Sequence, residues 1–268
     1  MRILIRTSHF AIWARRFGEL ALPLALIPVL LHRERLVTTD TFLVVASLAI
    51  ACALAAVGCA LIAFVRLWIS GDKGWSRATA GFLLGLVCLL PPAYLGWEMM
   101  RYPDVSGFST DRLVLPPLMA APVPRLGSDR AAIEAAFPNA RTRRYGIDAA
   151  RVFALALEQV IASGWEVRRR QMPSGVPARG QINAISTRLL GWQDEVSIRV
   201  VGDARGTEVD VLSAGLHPIH DLGENGKRIE AYLAALDDAV TRLMREAPSA
   251  PVEPPVEPAA AGPVPGEE

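Results

Sequence analysis

The chain is poor in the residues from which reactive centres are usually assembled. Its three cysteines, Cys52, Cys59 and Cys88, all fall inside apolar runs, so the remainder can form neither a disulfide nor a thiolate metal site. That leaves the redox compartment unconstrained. Of only four histidines, His9 and His32 belong to the apolar first part. A formal net charge of +1 gives no electrostatic footprint for nucleic acid or a strongly acidic partner. Gly-rich phosphate loops, dinucleotide fingerprints, aromatic–basic interleaving and a Gly-x-Ser-x-Gly elbow are all missing. The expectation is no cofactor, no metal and no nucleic-acid partner.

Uncharged sequence, by contrast, is plentiful. Residues 41–65 form a run of 25 without a charge, proline or histidine. As a helix rising about 1.5 Å per residue it would cover roughly 37 Å, enough to cross a hydrocarbon core of about 30 Å with some tilt. Arg66 and Trp68 close it in the manner of an interfacial ending, and Ala49, Ala53, Ala56 and Ala60 fall near one face, where a neighbouring helix could approach closely. A further run over 78–97 holds Gly81-x-x-x-Gly85 and Pro91-Pro92. The run over 20–31 follows Arg2, Arg6, Arg15 and Arg16 and is broken by Pro23 and Pro28. No small-x-small cleavage pattern follows it, so a Pro-kinked span over about 17–31 is expected rather than a signal peptide. Residues 1–100 thus read as a transmembrane region of three spans, with the lipid bilayer as first partner. No ionisable side chain sits deep in the second or third span, which suits anchors better than an ion pathway. Lys and Arg are concentrated in the N-terminal segment and the 66–77 link, and are few in the 32–40 link. The positive-inside rule then places the N-terminus in the cytoplasm and the polar half outside it. Were the first run only to lie on the surface, two spans would remain and both ends would share one face.

Residues 101–126 read as a Pro-rich extended lead-in, because Pro fixes its own φ and restricts the residue before it. Residues 127–246 read as an α+β domain, and 247–268, Pro/Ala/Val/Glu without periodicity, as a disordered tail. In the domain Asp148 is a good N-cap for a helix ending near Ser163, with Gly164 as its stop. Strands are expected over 165–170, 181–189, 195–201 and 207–212, with a Pro/Gly loop over 172–180 and a hairpin connection over 202–206. Ile198, Val200, Val209 and Val211 alternate with polar neighbours, the pattern of a sheet wet on one face. Asp221-x-x-Glu224 has capping-box spacing, and Ile229, Tyr232, Leu233, Leu236, Val240 and Leu243 form one stripe of a final helix over about 222–245. The expected fold is a four-stranded, mainly antiparallel sheet with two helices on one face. The clusters Arg141–Arg143–Arg144 and Arg168–Arg169–Arg170 read as solvated faces.

The order Ser109-Thr110-Asp111, Pro116-Pro117, Asp194-Glu195-Val196, Val209-Asp210-Val211 and Asp221-Leu-Gly-x-Asn225-x-x-Arg228-Ile229 resembles a bacterial domain of unknown function, family 1499, in its membrane-anchored form. The resemblance covers most of residues 15–240. It implies a compact domain beside a bacterial inner membrane, on the periplasmic side in the orientation above, with no established activity. It also implies an Arg/Ser-rich segment between Asp210 and Asp221. Here that stretch reads Leu212-Ser213-Ala214-Gly215-Leu216-His217-Pro218, so an anion site built on those arginines is not expected.

Candidate chemistry is thin. His217-x-x-His220-Asp221 gathers metal-ligand types, but Pro218 breaks any local helix that would align them. Asp194 and Glu195, adjacent on a strand, point to opposite faces and cannot readily serve one bond. Ser213 has His217 or His220 near it in sequence but nothing that marks an oxyanion hole. Asn225 and Arg228 share a face near the N-terminal end of the last helix and could hold an anionic group such as a lipid head; otherwise Asn225 braces the preceding loop and Arg228 pairs with an acid such as Glu224. The expectation is a protein without catalysis, in a binding or envelope-support role, with an envelope protein or an anionic lipid as its partner. The alternative is a membrane-tethered enzyme using Asp221 with His217 or His220 on an envelope substrate.

Overall fold

The computed structural model describes residues 7–217 and 220–246; the tail expected from residue 247 onward lies outside them. The apolar half forms three helices, α1 (His9–Arg33), α2 (Thr39–Ser70) and α3 (Trp75–Arg101), packed side by side. Thr38 caps α2 by accepting the Thr41 N–H, and Gly71, at φ 68°, ends it in the left-handed conformation that favours glycine. At the end far from the domain the chain start meets the α2–α3 link, where the Ser8 N–H donates to the Lys73 carbonyl at 3.1 Å.

The bundle interior is built from small residues: Ala11, Ala14 and Ala21 of α1, Ala53, Ala56 and Ala60 of α2, Ala78 of α3. The two glycines of Gly81-x-x-x-Gly85 serve different neighbours. Gly81 lies against the Ala14 backbone of α1, and Gly85 against Val57 and the Ala53 carbonyl of α2. Leucine, isoleucine and valine are turned outward instead, among them Leu48, Leu54, Leu61, Val65, Leu83, Val87 and Leu90.

Two helices, α2 and α3, are long and apolar enough to cross a membrane, not the three expected. The first run is a 25-residue helix, but it begins at His9 rather than near residue 17 and so takes in Arg15 and Arg16 as well. Pro23 and Pro28 are accommodated inside it.

The polar half contains β1 (Gly107–Ser109), α4 (Arg130–Ala136), β2 (Arg143–Tyr145), α5 (Ala149–Ala162), β3 (Glu166–Ser174), β4 (Ala178–Thr187), β5 (Gln193–Asp203), β6 (Gly206–Gly215) and α6 (Glu224–Glu246). The sheet therefore has six strands, not four, in the order β1-β6-β5-β4-β3, with β2 also on β6. Both extra strands are three residues long and lie end to end on the outer edge of β6, β1 against 212–214 and β2 against 207–209. All pairings are antiparallel. The loop expected over 172–180 is instead a tight hairpin: β3 runs on to Ser174 and β4 begins at Ala178, with Gly175 at φ 84° making the turn.

One sheet face carries Ile182, Ala184, Val196, Ile198, Val200, Val209 and Val211 against Val152, Phe153 and Val160 of α5 and Ile229, Leu233 and Leu236 of α6. Both amphipathic helices thus share that face. The opposite face is not wet, contrary to the alternation pattern. Residues 110–121 of the lead-in strap it, and Asn183, Glu195, Ser197 and Asp210 are at most 1 % exposed beneath. A Pro-rich segment makes few hydrogen bonds within itself, so its polar backbone groups find partners on the sheet. The Pro117 carbonyl accepts from Asn183 Nδ2 (2.9 Å) and Ser197 Oγ (2.7 Å). The Glu195 carboxylate accepts the N–H groups of Met119, Ala120 and Ala121 at 2.7, 2.8 and 2.8 Å. Arg199 donates to the Val114 carbonyl and pairs with Asp111 (2.7 Å) and Asp210 (2.6 Å). Glu195→Ala would remove the acceptor of three backbone N–H groups of the strap and of the buried Asn183 amide. It should cost about 2–3 kcal/mol by chemical denaturation and make residues 110–121 more sensitive to protease.

The domain sits against the bundle at two points. The β4–β5 turn meets the junction of α1 and α2, where the Leu190 carbonyl accepts from His32 Nδ1 at 2.7 Å and the Trp192 ring packs on His32 and Phe42. Gly191, at φ 92°, comes so close that a Cβ would lie 2.6 Å from the His32 carbonyl oxygen. On the other side Lys227 of α6 approaches Glu98 of α3 (3.7 Å) and lies over the Tyr102 ring.

Candidate functional site: a buried Arg–Asp cluster

Asp194 opens β5 on the helix-facing side, and its carboxylate is shared by two guanidinium groups. Arg188, from the chain just past β4, approaches it in two-pronged fashion at 2.5 and 2.7 Å. Arg228 of α6 reaches Asp194 Oδ2 at 2.8 Å. The other Arg228 nitrogen donates to Ser213 Oγ (2.9 Å) and Asn225 Oδ1 (2.7 Å), while Ser213 Oγ donates to Asn225 Oδ1 at 2.7 Å. Asp221 terminates the loop before α6. Its Oδ1 accepts the Gly223 N–H (2.9 Å), its Oδ2 the Asn225 N–H (3.3 Å), and its carbonyl accepts from Arg188 Nη1. Asp194, Asp221, Asn225 and Arg228 therefore belong to one network. The acid that Arg228 meets is Asp194, not Glu224, and Asn225 braces β6 together with the preceding loop. Only half of the expected capping box forms. Asp221 does cap the helix, but its own N–H goes to the Val105 carbonyl and Glu224 turns to Lys227.

Arg188 escaped the sequence reading. Its signal was the six-residue spacing to Asp194 across a tight hairpin, where the Arg188 N–H donates to the Trp192 carbonyl. Glu195 faces away from this cluster into the strap, as strand alternation requires. Arg143 and Arg144, expected to be solvated, are engaged by Asp237 and by Asp203 and Glu208. Arg168 pairs with Glu166 on the exposed β3 edge, where a row of charge discourages pairing with another strand.

The charges of the cluster are buried: Asp194 is 1 % exposed, the Arg188 and Arg228 side chains 14 % and 11 %. Burial pushes both guanidiniums down. For Arg188 the hydrogen bonds and charge of Asp194 outweigh it and raise the pKa, whereas Arg228 stays lowered. Burial also raises the Asp221 carboxyl above the ordinary aspartate range, against the opposing N–H of Gly223 and charge of Arg188. A carboxyl raised in the folded state binds its proton more tightly there than in the unfolded chain. Its contribution to stability is therefore full below the ordinary aspartate pKa and is lost as pH rises through the raised value. Asp221→Asn should lack that decline, so a difference plot of denaturation midpoints, wild type minus variant, should fall from mildly acidic pH towards neutrality.

The arrangement offers little free chemistry. Ser213 Oγ is held between Asn225 and Arg228, and neither histidine activates it. His220 Nδ1 accepts the Leu222 N–H at 2.9 Å and its Nε2 is buried without a partner among the described residues, while His217 is exposed. The Asp221 carboxylate is turned to Gly223 and Asn225, away from a pairing with His217 or His220. Among the described residues no group of three or more His, Cys, Asp or Glu could hold a metal.

Beside the cluster runs a groove of about 380 Å³ between the α1–α2 link and the β4–β5 turn, lined by His32, Arg35, Thr38, Thr39, Trp192 and His217 among others. A small recess next to Asp194, bordered by Arg188 and Ser106, shares Trp192, Gln193 and His217 with it.

Fold and site together define a class: an antiparallel α+β domain carried on a helical bundle, two of whose helices are apolar enough to cross a membrane. Residues 124–236, within the polar half, match the family model described as protein of unknown function (DUF1499). Ser109-Thr110-Asp111 and Pro116-Pro117 precede the matched stretch, while the motifs from Asp194 to Arg228 lie inside it. No curated protein and no solved structure matches the chain.

Proposed function

We propose that this protein is a membrane-anchored module of the bacterial inner membrane that holds its α+β domain on the periplasmic side for binding or for support of an envelope assembly, without catalysis. The observation that carries this reading is the inverted composition of the bundle. In water, leucine and valine would be buried and alanine left outside; here alanine and glycine fill the interior and the large apolar side chains face out. Lipid is the solvent in which that pattern costs nothing. The exposed aromatics agree: Trp75 and Trp97 sit 22 positions apart on α3, about 33 Å along the helix axis, close to the thickness of a hydrocarbon core of about 30 Å. Arg66, Lys73 and Arg77 lie near the end of the bundle away from the domain, where Arg66 stacks over Phe10 of α1. Lys and Arg at that end favour its being cytoplasmic.

The test is a topology map combined with fractionation. A reporter fused near residue 150 should report the extracytoplasmic side, and the full chain should stay in the membrane pellet after alkaline carbonate washing. A cytoplasmic reading near residue 150 removes the orientation; release into the supernatant removes the anchor.

A further inference from the structure

We propose that the groove between the α1–α2 link and the β4–β5 turn is a binding site for a phosphate-type oxyanion. Among the described residues its lining offers several donors and one guanidinium, that of Arg35, with no carboxylate. The sole acid of the adjoining recess, Asp194, is already shared by Arg188 and Arg228. Asp194 is thus occupied from within the protein, and Arg188, which borders the recess, stands at the inner end of the groove.

Two further observations point to an absent acceptor. The Trp192 indole nitrogen is buried with no hydrogen-bond partner among the described residues, although the ring itself is fixed by His32 and Phe42. An N–H left in that state is costly, and native structures keep one where something else accepts from it. Arg35 stands at φ 60°, a left-handed position that glycine would occupy without strain. The one hydrogen bond of its guanidinium among the described residues is a long contact to Thr187 Oγ1 at 3.4 Å. The chain thus spends backbone strain to keep a weakly engaged guanidinium at the rim of a groove without acids. Arg and Trp donors around a volume of this size suit a phosphate carrying a small substituent.

The groove lies at the domain end of the bundle, where α1 ends and α2 begins. If the helices cross the bilayer as proposed above, this is headgroup level, and the phosphate can come from a phospholipid; a soluble phosphate can enter from the aqueous side. Only the lipid source rests on the proposed anchoring.

The experiment uses the full-length protein in neutral detergent and in nanodiscs. Inorganic phosphate is titrated into the detergent-solubilised protein by calorimetry, and nanodiscs of phosphatidylcholine with or without phosphatidylglycerol are examined for retained lipid by native mass spectrometry. Two variants keep the fold. Arg35→Gly preserves the left-handed backbone, and Trp192→Phe preserves the ring while removing its N–H. Saturable phosphate binding, or selective retention of phosphatidylglycerol, weakened at least tenfold by each variant with an unchanged melting temperature, supports the site. Phosphate binding alone assigns a soluble source, and phosphatidylglycerol retention assigns the lipid. Absence of both in the wild type, or variants that bind as the wild type does, overturns it. Solubilised protein has no sides, so a cytoplasmic result near residue 150 would fail the orientation and leave this binding result standing.

Discussion

Asp194→Ala is expected to destabilise the domain by about 3–5 kcal/mol, the cost of breaking a buried ion pair from one side. The carboxylate holds two guanidiniums that are nearly out of water, so its removal leaves Arg188 and Arg228 facing each other without the carboxylate they share. Arg228 feels this most, since burial already disfavours its charged form. The loss should appear as a lower denaturation midpoint at an unchanged slope in urea, followed through far-ultraviolet circular dichroism of the detergent-solubilised chain. The mechanism has its own control. Adding Arg188→Met and Arg228→Leu to Asp194→Ala removes the orphaned charges as well, and apolar replacements of a complete buried network are often neutral or better. The triple variant should recover much of the loss. If it proves less stable than the single one, the arginines contribute through packing or through Ser213 and Asn225, and the electrostatic account fails.

The same cluster shows how far the amino-acid order can be read. Asp148 was legible as a cap because its Oδ1 accepts an N–H only three residues on, at Arg151. The stripe of α6 was legible because its period is local. Arg228 was legible as a charged group near a helix start, but its partner lies on β5, 34 positions away in the chain, and only the folded sheet selects Asp194 over the nearer Glu224. β1 and β2 fail for a related reason. Three residues are too few to display alternation, and both exist because β6 offers them an edge. The wet face was misjudged because alternation reports only that one side is polar. It does not report that a strap of backbone donors will cover Glu195 and Asn183. In the bundle, the apolar runs fixed where helices lie, yet the start of α1 at His9 follows from its contacts with α2 and α3, which carry Arg15 and Arg16 into helical sequence.

Gly81→Val should be the most damaging single change in the bundle. A Cβ at that position would sit 2.3 Å from the Ala14 carbonyl carbon and 2.4 Å from its oxygen, a distance at which α1 and α3 must separate. In lipid, helices associate through close packing rather than by expulsion of water, so a seam lost here has no hydrophobic reserve behind it. Membrane-inserted protein should fall at least tenfold in abundance, and cysteines introduced at facing positions of α1 and α3 should no longer cross-link. A Cβ at Gly58 or Gly96 would meet nothing within 4 Å, so Gly58→Val and Gly96→Val should leave abundance near wild type, which separates loss of the seam from a general intolerance of glycine replacement in the apolar helices. The decisive comparison is Ala14→Gly added to Gly81→Val. Were the clash one of side chain against side chain, trimming Ala14 would relieve it. The obstructing atoms belong to the α1 main chain, so the double variant should stay as defective as the single one, and a rescue would mean that the two helices do not meet backbone to backbone at Gly81.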